Sequence, residues 1–177
     1  MKFRKLLYTW LTVISLSLGW LFYKLEKIET NLQRMEFLSS NQDLPSVQTF
    51  MSIEKYSEQY NIPKHILHNI AFRETTYQGP FDWEYKFNRE SSYGAVGPMQ
   101  VTLIAAKDVY GHSVNKTKLR NNIEFNIKTS AAYLNKLHRR FGDWEKVVSY
   151  YSAYPKEADY VVYVLNHKNY KSKWLRL

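Results

Sequence analysis

The sequence predicts an all-α domain. Apolar residues recur at three- and four-residue steps over most of the chain beyond residue 47, and Pro63, Gly79-Pro80 and Gly142 stand where that period breaks. No alternating polar and apolar run of useful length is present, and no internal repeat. At 177 residues the chain holds one domain with a real core and some length to spare, and 45% apolar residues exclude a disordered composition. A formal charge of +9 suits an acidic partner, whether nucleic acid, anionic lipid or an acidic polymer such as peptidoglycan. The absence of cysteine excludes disulfides, thiolate metal sites and a cysteine nucleophile.

The chain opens with Lys2, Arg4 and Lys5, and residues 6–23 then carry no charge. At about 1.5 Å per residue such a run just crosses a hydrocarbon core of roughly 30 Å, with Trp10, Trp20 and Tyr23 placed as interfacial anchors. The expectation is a single-pass membrane helix over residues 1–23, with the basic start in the cytoplasm and the rest exported. A cleaved signal peptide ending near Ser17-Leu18-Gly19, with secretion to the periplasm, is the alternative; Trp20, Leu21 and Phe22 extend the apolar run beyond that site and favour the anchor. Leu25, Ile28, Leu32 and Met35 follow at steps of three and four. Two heptads fall short of a coiled coil, so residues 24–46 read as an amphipathic helical stalk and a linker at 39–46.

The globular part, residues 47–177, reads as helices at 50–60, 63–77, 98–110, 123–141, 143–154 and 156–167, with an irregular, aromatic-rich stretch at 78–97. Asp143 follows Gly142 as an N-cap. Within 63–77, Ile66, Ile70 and Glu74 fall at i, i+4 and i+8, so an acid continues the line that the helix turns inward. Partial desolvation and the negative end of the helix dipole both disfavour its charged form, which predicts a raised pKa and suits a general acid. The competing reading has Glu74 in solvent at a frayed end, or paired with Arg73 or Lys86.

A second informative stretch runs Ser91-Ser92-Tyr93-Gly94-Ala95-Val96-Gly97-Pro98-Met99-Gln100. Two glycines three apart allow close backbone approach, and Pro98 is expected to open a helix with Met99 and Gln100 in its first turn. His65 and His68 stand three apart on one helix, but no third histidine has a helical partner, so a surface or lightly buried pair is expected and no metal or cofactor. Lys136, His138, Arg139 and Arg140 read as a solvated basic face.

Together these stretches carry a resemblance. Arg73-Glu74-Thr75, Gly94-Ala95-Val96-Gly97-Pro98-Met99-Gln100, Tyr150-Tyr151-Ser152-Ala153 and Tyr160-Val161 with Val164 resemble the ordered motifs of the soluble lytic transglycosylase family, whose fold is lysozyme-like. Asn126-Ile127, Tyr133-Leu134 and Phe141-Gly142-Asp143-Trp144 fit the same pattern, and the match covers roughly residues 53–169. The resemblance makes 47–177 a transglycosylase catalytic domain that cleaves the β-1,4 bond between N-acetylmuramic acid and N-acetylglucosamine, leaving a 1,6-anhydro sugar. It implies Glu74 as the single acid/base, Ser91 as a residue that holds substrate or acid, Met99 and Gln100 as groove residues, Tyr151 as the motif aromatic and Tyr160 as the tyrosine that approaches the acid. It also implies peptidoglycan glycan strands as partner, with no nucleic acid. A small anchored domain of this kind suits a cell-envelope-spanning or phage machine that opens the wall locally.

The chain departs from the family at Thr75, where serine is usual, at Pro98, where leucine is usual, and at Ser152, where asparagine is usual. Its 76–92 segment is also longer, with Phe81, Trp83, Tyr85 and Phe87 either roofing a sugar groove or packing the loop down. Asp82, Glu84 and Glu90 are all available in that segment, and Asp82 or Glu84 acting as a second carboxylate would make the chain a muramidase hydrolysing the same bond with water. A wall-binding scaffold without turnover is the reading from another class.

Overall fold

A computed structural model describes residues 2–111, 114–152 and 158–168, with the side chains of residues 2–9 and 158 outside that description. The chain divides into two compact units, Met1–Gln42 and Asp43–Leu177. The first is one unbroken helix, α1 (Lys2–Ser40). The expected membrane helix is not supported: among the described residues no helix is long and apolar enough to cross a membrane. Thr12, Ser15, Ser17 and Gly19 dilute the apolar character of that helix. The single-pass topology and the localisation built on that helix are corrected with it.

The second unit is helical, as expected, with α2 (Pro45–Gln59), α3 (Lys64–Thr75), α4 (Leu103–Tyr110), α5 (Lys116–Asn121), α6 (Ile123–Phe141), α7 (Trp144–Tyr151) and α8 (Ala158–Asn166). Among the described residues the extended structure is limited to two isolated antiparallel bridges, Glu90 with Val96 and Val96 with Val101. The long α6 is the central post, packed by α2, α4, α5 and α7, while α3 lies on α2 and α8. Ile123, Ile127, Ala131 and Leu134 put one face of α6 into the core, where they meet Ile66, Leu67, Ile70 and Ala71 of α3 and Val147 and Val148 of α7. Asn122 caps α6 through its side chain, Gly142 ends it in the left-handed region, and Asp143 caps α7 by accepting the Lys146 N–H at 3.0 Å.

Several boundaries differ from the sequence expectation for local reasons. The α2 helix begins at Pro45, because Pro suits the first turn. Residues 98–102 are not helical: Val96 and Val101 exchange backbone hydrogen bonds at 3.1 and 3.0 Å, which closes Gly97–Gln100 into a tight turn. Gln100 takes a positive φ of 46°, and α4 starts only after Thr102 caps it. The α3 helix ends at Thr75, with Thr76 in the left-handed region at φ 60°. The short α5 was not expected. Ala153 of the third motif, the Tyr154 and Lys156 ends of two expected helices, His112 and Asn169 lie outside the described residues.

Candidate active site

Glu74 sits in the last turn of α3, one turn beyond the buried Ile70. Its Oε1 accepts a hydrogen bond from the Tyr160 hydroxyl of α8 at 2.7 Å, a contact that spans 86 residues of sequence. Burial, then the nearby Glu74 carboxylate and this hydrogen bond, push the Tyr160 phenol well above its ordinary range, so it stays a donor. Arg73, the neighbour of Glu74, lays its guanidinium 5.4 Å from the Tyr160 ring centre and 5.6 Å from that of Tyr163, which braces α3 against α8.

Tyr151, at the end of α7, is the second aromatic of the cluster. Its hydroxyl donates to the Met99 carbonyl at 2.7 Å and lies 2.8 Å from Ser130 Oγ of α6. Burial raises its pKa, the Ser130 hydrogen bond opposes this, and the charge of Glu74 raises it further. Tyr151 is therefore in electrostatic reach of the acid. It also lines a groove of about 850 Å³ with Gln100, Thr102, Tyr133, Phe141, Glu145 and Tyr150 among its walls. Aromatic faces interleaved with a few polar groups are the lining that sugar rings require.

The remaining expected residues divide. Gln100 reaches the groove, held by its amide to the carbonyls of Gly97 at 3.0 Å and Arg89 at 3.2 Å. Met99 does not line it with its side chain, which is wholly buried in the core; its backbone carries the contact to Tyr151. Ser91 is bonded within its own turn, with its hydroxyl accepting the Ala95 N–H at 3.1 Å. Of the loop acids, Glu90 is held by Lys116 at 2.6 Å and Arg120 at 3.3 Å, and the Lys116 hydrogen bond keeps its pKa low. Asp82 accepts a long 3.4 Å bond from the Gln78 N–H, and Glu84 is exposed. Of the loop aromatics, Tyr85 and Phe87 pack down onto the core, while Trp83 is 62% exposed. His68 is not a surface residue: it is buried, 3.2 Å from Glu54 and near Tyr77 and Phe50.

A comparison with known families matches residues 51–160 to the Transglycosylase SLT domain. The chain belongs to that family. The matched segment runs through Glu74 and ends at Tyr160, so both partners of the 2.7 Å contact lie inside it. Membership assigns the domain lytic-transglycosylase-type chemistry on peptidoglycan. Comparisons with curated proteins and with solved structures give no match.

Sequence reasoning named Asn126, Gly97 and Thr75 as motif positions but did not assign them the role of holding the Gly97–Gln100 turn from behind. Asn126, wholly buried on α6, accepts the Met99 N–H at 3.0 Å and donates to the carbonyls of Val96 at 2.8 Å and Leu119 at 2.9 Å. Gly97 is required there twice over: its φ is +77°, and a Cβ would stand 2.4 Å from Asn126 Nδ2. Thr75 ties the end of α3 to the same turn, with its hydroxyl 3.0 Å from the Pro98 carbonyl and 2.9 Å from the Tyr85 hydroxyl. The signal was present as a polar residue inside an apolar helical face, Asn126 beside Ile127.

Proposed function

We propose that this protein is a lytic transglycosylase that cleaves the bond between N-acetylmuramic acid and N-acetylglucosamine with Glu74 as its single acid and base. The observation that carries the reading is the Tyr160 hydrogen bond to Glu74, which joins the first and last motifs of the SLT segment around one carboxyl group. Tyr160 donates to Oε1 and so orients the carboxyl group that exchanges the proton in this scheme. Donation of that proton to the glycosidic oxygen lets the C1–O4 bond break. The resulting carboxylate then accepts the proton of the muramic C6 hydroxyl as O6 bonds to C1, which closes the 1,6-anhydro ring. The acid is regenerated and no water is consumed. Such a cycle needs one carboxyl group, whereas hydrolysis needs a second carboxylate to activate water or attack C1.

Gln100, Tyr151 and the groove beside them supply a sugar-binding surface in this scheme, and Met99 contributes through its backbone. Ser91 acts by shaping the turn. The test is digestion of purified peptidoglycan by the full chain, followed by mass spectrometry of the released muropeptides. Products lighter by one water than the corresponding reducing sugars are expected. Reducing ends alone would replace this reading with a muramidase, and binding without release would leave a scaffold.

A further inference from the structure

The α1 helix turns two short apolar repeats into one long one. With no break between residues 2 and 40, the steps of Leu25, Ile28, Leu32 and Met35 continue backwards without interruption through Leu21, Leu18, Ile14 and Leu11. The spacing 3-4-3-4-3-4-3 is a heptad seam of eight residues, about 36 Å long at 1.5 Å per residue. All eight side chains are 49–67% exposed. From residue 24 to 36 the selectivity is complete: Leu25, Ile28, Leu32 and Met35 are the seam, and every other position is charged or polar, with Lys24, Glu26, Lys27, Glu29, Arg34 and Glu36 among them. A plain amphipathic connector does not need that narrow a stripe; a seam closed by a like helix does.

We infer that α1 assembles with a second copy of itself as a parallel, in-register coiled coil along Leu11, Ile14, Leu18, Leu21, Leu25, Ile28, Leu32 and Met35. The charges beside the seam choose both occupant and direction. With leucine at 11, 18, 25 and 32 in position a, Lys24 takes position g and Glu29 the following e, the pair that meets across a parallel interface. Two copies therefore form the Lys24 to Glu29 contact twice, once on each side. An antiparallel pair overlapping along the whole seam brings Lys24 against the Lys24 of the other copy. Among the described residues no ion pair engages either group within the helix; Lys24 lies over the Trp20 ring at 5.2 Å. Position d is mixed, with Ile14, Leu21, Ile28 and Met35, and the apolar Trp10 and Phe22 flank the seam in its first half. Val13, Leu16 and Trp20 lie off the seam in that half, so the charged half is the cleaner place to test it.

The chain has no cysteine, so a single introduced thiol reports without background. Leu25→Cys and Ile28→Cys are made singly in the full chain, with Lys27→Cys as the off-seam control, and oxidised mildly. Disulfide-linked dimers are expected several-fold faster at 25 and 28 than at 27, because the seam holds like positions together. Sedimentation equilibrium of the unmodified full chain is expected to give a multiple of the monomer mass, and the double variant Leu25→Asp/Leu32→Asp is expected to lower it to one chain. A monomeric mass for the unmodified chain, equal cross-linking at 25 and 27, or a multimer that survives the double variant overturns the inference. Mixing Leu21→Cys with Leu25→Cys chains and finding the mixed disulfide ahead of the like one overturns the parallel register.

Discussion

Two polar clusters meet at the end of α3, where Thr75 belongs to one and Glu74 to the other, and they behave oppositely. Around Asn126 the Gly97–Gln100 turn is closed from behind: three side-chain hydrogen bonds, no room for a Cβ at Gly97, and Thr75 clasping Pro98. Around Glu74 an ionisable group is held by long-range contacts from α8 and stands near a tyrosine that opens onto a groove. The difference teaches where this fold spends its buried polar groups. These bonds hold the turn, and the turn presents the Met99 carbonyl to Tyr151, whose phenol feels the charge of Glu74.

The largest effect that separates the clusters is at Glu74. Glu74→Gln keeps the shape but cannot exchange a proton, so lytic activity is expected to fall by about 10²–10⁴-fold, the range of a lost general acid. Helical circular dichroism and the thermal midpoint should stay near those of the parent. Activity retained in a folded variant would move the chemistry elsewhere.

Asn126→Ala is the converse, since it breaks the turn before the chemistry. It strands the buried Met99 N–H and removes the side-chain donor from the Leu119 carbonyl and one of two donors from the Val96 carbonyl, and a loss of about 2–3 kcal/mol in urea unfolding is expected. Gly97→Ala attacks the same knot by sterics and should be destabilising in the same assay. If either variant unfolds like the parent, the knot is not what holds the turn.

Next in size is an alkaline limit to stability. Burial drives the Tyr85 phenol up to about 12 in the folded chain, with its Thr75 hydrogen bond opposing that rise. An unfolded tyrosine loses its proton near 10, so between pH 10 and 12 the folded state binds more protons and stability falls as pH rises. The contribution is whole below pH 10 and drains by about 2–3 kcal/mol on reaching pH 12. Urea midpoints measured from pH 9 to 12 should show this slope, and Tyr85→Phe should lower it by the Tyr85 share, with the buried Tyr77, Tyr151 and Tyr160 supplying the rest.

The smallest effect is Tyr160→Phe. It removes one hydroxyl and leaves the ring that Arg73 covers, so a drop of about 10-fold in kcat is expected, the worth of one hydrogen bond to a charged group. KM should change little, because Tyr160 touches the acid and not the sugar in this scheme. A change confined to KM would recast it as a substrate contact.

Much of this was legible locally. The periodicity of α3 and α6, the Asp143 cap and the Gly142 stop follow from side-chain spacing and backbone preference, which act within one or two turns of chain. The Pro98 helix start was misjudged because the turn there is closed by bonds between Val96 and Val101, and Gln100 accepts a positive φ within it. Met99 was misplaced for a related reason: it adjoins a groove residue in sequence, yet its side chain enters the core. The uncharged start of α1 suggested a membrane span, and the described helix lacks the unbroken apolar length for one.

Taken alone, the chain determined that its domain is helical, that an acid ends the inward line of its third helix, and which family motifs surround that acid. Those properties are written in short-range spacing and in residue type. The family resemblance named Tyr160 as the tyrosine that approaches the acid; only the folded chain gave that pair its 2.7 Å hydrogen bond across 86 residues, placed Asn126 behind the turn, and set the Ser91 hydroxyl on the Ala95 N–H. Partners so distant in sequence are chosen by how α3, α6, α7 and α8 pack, and that packing is a property of the whole core.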